Sequence, residues 1–214
     1  MTTKLYSYVV DHDHGISPNP FQGICTLVHC KFSRSKVRRN IVELANVGDW
    51  ILGTGGKNPE SAGNGHIIYI MRVDEKLPFS VFLNDPRFAN RADQCDLQQG
   101  NKFALISTNF YYFGRNAIAI SKLPDKLRTL PLEKRGPSYR ADLLPDSICL
   151  LISWLEENFN YGMHGEPCAP LPVNSQAGLV SDAHCLSSGC SSSCRKETQP
   201  AVKRDCANNA LHST

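Results

Sequence analysis

No aromatic residue follows Tyr161, although the chain has 214 residues and 18 aromatics. A stretch without aromatics and with few branched apolar side chains cannot bury enough surface to offset the entropy of ordering it. Residues 1–166 are therefore expected to hold the fold, and residues 167–214 to form a disordered tail rich in serine and cysteine. No apolar run approaches the roughly 18 residues a membrane span requires, which excludes a spanning helix. The opening Met1-Thr2-Thr3-Lys4-Leu5-Tyr6 lacks an apolar signal core. A cytoplasmic location with reduced thiols is the expectation, and nine cysteines, an odd number, do not suggest a disulfide framework. Excess charge of one sign is also missing. The whole chain carries 23 basic and 20 acidic residues, and residues 1–166 carry 19 and 17. Such a balance excludes coating of nucleic acid by bulk electrostatics, so any contact with it must come from a local patch.

What is present reads mainly as strands. Lys4–Val10 is rich in β-branched and aromatic residues and predicts a strand. Asp11–Pro20 is dense in Gly, Pro, Asn and Asp and predicts a long loop, where function tends to sit. Val47-Gly48-Asp49 turns into a strand over Trp50–Thr54, and His66–Val73 is apolar enough for a strand buried on both faces. Residues 47–73 thus predict a hairpin with a long Gly/Asn-rich tip. Leu77–Phe82 and Asp85–Phe88 predict a short helix ended by a turn, 90–101 a polar loop, and Lys102–Phe113 one further strand. Residues 120–145, with four prolines, predict loop. Ile148, Leu151, Ile152, Leu155 and Phe159 recur at helical spacing behind an N-cap at Asp146 or Ser147. The resulting class is α+β, with a small curved mixed sheet or barrel, peripheral helices and a C-terminal helix.

Several chemical motifs are weak. Gly53-Thr54-Gly55-Gly56-Lys57-Asn58 resembles a phosphate loop, but Ile51 replaces its first glycine and Asn58 its magnesium-binding hydroxyl. Cys25, His29 and Cys30 lie close in sequence, yet neighbours along a strand point to opposite faces, so buried thiols are expected. Cys185, Cys190 and Cys194 lack the spacing of a zinc knuckle. In Asp11-His12-Asp13-His14, alternation lets His12 converge with His14 and Asp11 with Asp13, but no third ligand is tied to them by spacing. That stretch is read as a polar loop, so neither a metal nor another cofactor is expected. Asp11, His12 and His14 are the only catalytic candidates, with Asp49 more simply a turn residue, and the chain leans away from being an enzyme.

Two features point to nucleic acid. Lys31, Arg34, Lys36, Arg38 and Arg39 place five positive charges in nine residues, a pattern suited to phosphate. Phe110-Tyr111-Tyr112-Phe113-Gly114-Arg115-Asn116 is dense in aromatics, and alternation sends Tyr111 and Phe113 one way, Phe110 and Tyr112 the other. One pair is expected in the core. The other is expected to line a pocket with Arg115 and Asn116, where aromatics stack on bases and polar groups read their edges.

Together KLYSYVV, SPNPFQGICTLVHCK with Arg38-Arg39, VGDWILGTG, HIIYIMRVDEKLPF, NDPRF and YYFGRN resemble the nucleotide modification associated domain of the second type over residues 4–166. That family is linked by genome context to systems that make or handle modified bases in DNA. The Val-Gly-Asp turn and its two strands are similar to the PUA-like barrels of the EVE, ASCH and YTH groups, several of which bind a modified base in an aromatic pocket. The resemblance implies a binding module for a modified base in nucleic acid or in a nucleotide, with protein partners from a modification system. Phe21, Trp50 and Tyr112 would stack, Asn19, Asp11 and Arg115 would read edges, and the Lys31–Arg39 run would hold phosphate. An enzyme acting on a base or nucleotide is the first alternative and a protein–protein adaptor the second.

Overall fold

A computed structural model describes residues 3–28, 40–91, 93 and 102–171. The basic run Lys31–Arg39, His29, Cys30 and residues 172–214 lie outside them, and with them the expectations placed there.

The main sheet is built around the expected hairpin. Strand β1 is Leu5–Val10, β3 is Trp50–Gly55 and β4 is His66–Arg72. β3 pairs antiparallel with β4 and parallel with β1. All six residues of β1 and of β3 are buried, as β-rich segments covered on both faces should be. Strand β7, Phe110–Tyr112, pairs antiparallel with β4, and β10, Gly162–Met163, pairs parallel with β7. Short β9, Tyr139–Arg140, closes the other side against β1, and β8, Ile118–Ala119, extends β4. The strand order is β10-β7-β4-β3-β1-β9, with β10 and β9 at opposite ends. Among the described residues the sheet is mixed and open, and no barrel closes. A register shift beside Gly53 sets Ile67 opposite Thr54 and Tyr69 opposite Gly53. Ile68 is the extra residue, and this bulge puts Ile68 and Tyr69 on the same face.

A second sheet holds β2 (Cys25–Leu27), β6 (Phe103–Ser107) and β5 (Glu75–Pro78), all antiparallel. The expected single strand over Lys102–Phe113 is in fact two strands in two sheets. Asp74 causes the break. Its carboxylate accepts from the Thr108 and Asn109 amides at 2.9 and 3.1 Å and from Asn109 Nδ2, pinning a turn at 108–109. The expected helix from Leu77 is also corrected. Residues 75–78 pair with β6, and helix α2 covers only Phe79–Asn84 after Pro78.

Three apolar cores follow. One face of the main sheet packs Leu5, Trp50, Leu52, Tyr111 and Phe113 against Ile148, Leu151 and Leu155 of helix α4, Pro145–Asn158. Helix α4 starts with Pro145 at its first position and Leu144 as N-cap, not Asp146 or Ser147. Proline suits that position because its missing N–H would find no partner there. Helix α3, Asp125–Arg128, lies within the segment expected to be loop and adds Leu127 to the same core. The opposite face packs Tyr6, Tyr8, Phe110 and Tyr112 against the second sheet and helix α1, Ile41–Leu44, which Asn40 caps through Val42 N at 2.6 Å. A third core gathers Phe79, Phe82 and Phe88 behind β6. No helix among the described residues is long and apolar enough to cross a membrane.

Candidate functional site

Pairing directions decide where loops collect. β1 and β3 run parallel, β4 opposes β3, β7 opposes β4, and β10 follows β7. The carboxyl ends of β1, β3, β7 and β10 therefore share one edge of the sheet. Their loops, residues 11–20, 56–65, 113–117 and 164–171, meet there. Such an edge is where open sheets with parallel strands commonly take ligands.

Loop 56–65 is shaped by its own polar groups. Ser61 Oγ donates to Val10 O at 2.5 Å and accepts from Gly56 N at 2.9 Å. Asn58 Oδ1 accepts from Glu60 N at 2.9 Å, and Glu60 O then accepts from Asp13 N at 2.9 Å. A side chain at Gly56 would run into the Asp11 carboxylate, so the two loops approach closely only because Gly56 has none.

Asp13 joins the first loop to the last. It is buried, accepts from the Tyr112 hydroxyl, and accepts from Cys168 N at 3.1 Å. Its backbone oxygen accepts from Ala169 N at 3.0 Å. Burial, then the Asp13 charge, pushes the Tyr112 hydroxyl far above its ordinary value. The same two causes raise the Cys168 thiol to about 12. Arg115 N and Nε donate to Glu166 O and Pro167 O, both at 2.8 Å, and Asn116 Nδ2 donates to His164 O at 2.7 Å. Gly114 sits at φ +51 with the Glu166 carbonyl where a Cβ would be.

On the same loop as Asp13 the expected convergence of His12 and His14 is present. Their rings stack with centroids 6.2 Å apart and planes 8° apart. Glu60 Oε2 lies 2.7 Å from His12 Nδ1 and 3.3 Å from His14 Nε2. His14 Nδ1 donates to Pro170 O at 2.8 Å. The hydrogen bond from His12 is the main cause holding the Glu60 carboxyl below its usual range. One nitrogen from each ring and one Glu60 oxygen lie within 4.8 Å of one another, so these three residues have the reach to share an ion.

The remaining expected residues are dispersed. Trp50 belongs to the core under α4, and Tyr112 to the core on the opposite face. The structure does not bring them to one cavity. Both aromatic pairs of 110–113 are buried, not one. Asn19 is buried in a polar knot, donating through Nδ2 to Asp93 at 3.1 Å. Phe21 is 59% exposed beside that knot, and Arg115 is exposed at the loop edge. Asp49 is a turn residue, accepting from Lys4 N and Asn46 N at 2.9 Å each. Glu60, Cys168 and the Arg91–Asp93 pair are the residues that sequence reasoning did not single out.

Both strands of the first parallel pair and the loops that follow them lie early in the chain. Residues 2–102 match the family model of nucleotide modification associated domain 2. The nucleotide modification associated domain 2 match contains His12, Asp13, His14 and Glu60. Tyr112, Arg115 and residues 164–171 lie beyond it. No curated protein and no solved structure matches the chain.

Proposed function

We propose that the chain is a binding module for a base, modified in its natural ligand, presented in nucleic acid or as a nucleotide. The observation that carries this reading is the meeting of four loops at the carboxyl ends of β1, β3, β7 and β10 in a chain that matches a nucleotide modification associated domain. Asp11 and Arg115 are the edge-reading groups, and Phe21 is the exposed ring for stacking. Trp50, Tyr112 and Asn19 then act from beneath, by fixing strands and the ends of loop 11–20. Kinship with PUA-like barrels belongs to this reading, supported by the Val47-Gly48-Asp49 turn and the bulged β3–β4 hairpin. Lys31, Arg34, Lys36, Arg38 and Arg39 hold the phosphates.

Titration of the full chain against plain and modified-base oligonucleotides and nucleotides, at low salt, tests the proposal. Preference for a modified base is expected. Each of the five cations replaced by alanine should flatten the log–log salt slope by about 0.7–0.9. Binding to none of these ligands overturns the reading. A hydrolytic or group-transfer enzyme is the second reading, favoured by the facing His12, His14 and Glu60 side chains, and incubation with nucleotide pools followed by mass analysis separates it from the first.

A further inference from the structure

We infer that His12, His14 and Glu60 form a site for one divalent transition-metal ion of the zinc type. The inference does not rest on the nucleotide reading, because it uses only the donor set and its geometry. Two imidazoles and a carboxylate are ligands that zinc and its neighbours accept, whereas magnesium and calcium prefer oxygen alone.

Distance supports the set. A tetrahedral ion with bonds of about 2.0–2.1 Å keeps its ligand atoms roughly 3.3 Å apart. Glu60 Oε2 is already 3.3 Å from His14 Nε2 and 2.7 Å from His12 Nδ1. Insertion of an ion needs a retreat of the half-exposed Glu60 side chain from His12 and a closing of the 4.8 Å span within which the three ligand atoms lie.

Proton placement supports it independently. The Pro170 carbonyl can only accept, so His14 Nδ1 carries a hydrogen. In the neutral ring, His14 Nε2 then presents a lone pair to the Glu60 carboxylate. Two lone pairs facing at 3.3 Å repel each other, and a metal ion held between them would turn that repulsion into two bonds. A ligating histidine whose other nitrogen is held by a carbonyl is the usual outer-shell arrangement of metal sites.

The site is built to stay open. His12 is 55% exposed and Glu60 47%, so three protein ligands leave at least one position facing solvent. That is the pattern of a metal that meets substrate, not one that only staples the fold.

The test is zinc and cobalt titration of the full chain with Cys185, Cys190, Cys194 and Cys206 changed to serine, which removes competing tail thiolates. One ion per chain is expected, with cobalt absorption that lacks thiolate charge-transfer bands. Glu60→Gln, His12→Ala and His14→Ala should each weaken binding by more than about tenfold, since losing even a supporting hydrogen bond costs roughly 10–100-fold. His66→Ala should leave it unchanged. Glu60→Gln alters only an exposed loop side chain, and an unchanged circular dichroism spectrum separates lost binding from lost folding. Absence of zinc binding at micromolar concentration, or binding that Glu60→Gln and His14→Ala leave intact, overturns the assignment.

Discussion

Loop 11–20 ends in two polar clusters of opposite kind. Near its end, Asn19 and Thr26 donate to Asp93, while Arg91 donates to the carbonyls of Asn19, Phe21 and Ile24. The side chains of Arg91 and Asp93 are 1% and 0% exposed. Near its start, Asp13 is equally buried, but the His12, His14 and Glu60 groups reach solvent. The sealed cluster uses its charges to fix backbone. The open one uses a buried charge to hold up a rim whose polar groups stay available. Charge burial is therefore common to both clusters, and access to solvent is what separates them.

That contrast is breakable at several points. The largest effect should come from Arg91→Met, which strands the Asp93 carboxylate in a site where burial already raises its pKa. Breaking a buried pair this way costs about 3–5 kcal/mol, measurable by urea unfolding. Next, Asp13→Ala removes the acceptor for Tyr112 and Cys168. A loss of about 2–3 kcal/mol is expected, with Tyr112→Phe about 1 kcal/mol because Asp13 keeps its Cys168 partner. Gly114→Ala should cost about 1–2 kcal/mol through the positive φ and the Glu166 carbonyl. Limited proteolysis should then cut first within 164–171.

A pH measurement sharpens the same comparison. The Cys168 thiol is raised from 9.0 to about 12, so the folded state holds its proton more tightly than the unfolded chain does. Its contribution to stability is complete below the ordinary thiol value and is lost as pH rises towards the folded one. Alkylation of Cys168, followed by peptide mass analysis, should therefore keep rising about tenfold per pH unit beyond the point where a free thiol levels off. Asp13→Asn should bring the plateau down. The smallest effect belongs to His12→Ala without added metal, which should leave the thermal midpoint unmoved because the group it pairs with is solvated.

Local signals in the chain reached the strands and the C-terminal helix well. Alternation in 110–113 assigned the two faces, and the Asp11–His14 alternation placed both histidines together. What stayed hidden was non-local. Glu60 is 48 residues from His12, and Tyr112 is 99 from Asp13. No local period links such pairs. The break between β6 and β7 depends on Asp74, over 30 residues upstream, so a continuous β-rich run looked like one strand. Arg91 and Asp93 sit in a stretch polar enough to read as surface, since a buried ion pair has the same composition as a solvated one. Residue type indicates that Trp50 and Tyr112 can stack, but not which face of the sheet each takes, and they take opposite ones.

The strap over residues 164–171 also sets a timetable. His14 is bonded to a carbonyl 156 residues later. At roughly 5–20 residues per second, a ribosome needs on the order of ten seconds or more to deliver it. Until then the nascent chain has its first strand and its histidines but no Pro170 carbonyl to orient His14, and Asp13 has neither Tyr112 nor Cys168. The rim that the early loops begin is finished only by residues 164–171, which delays any metal or ligand capture there until the sheet beneath has been synthesised.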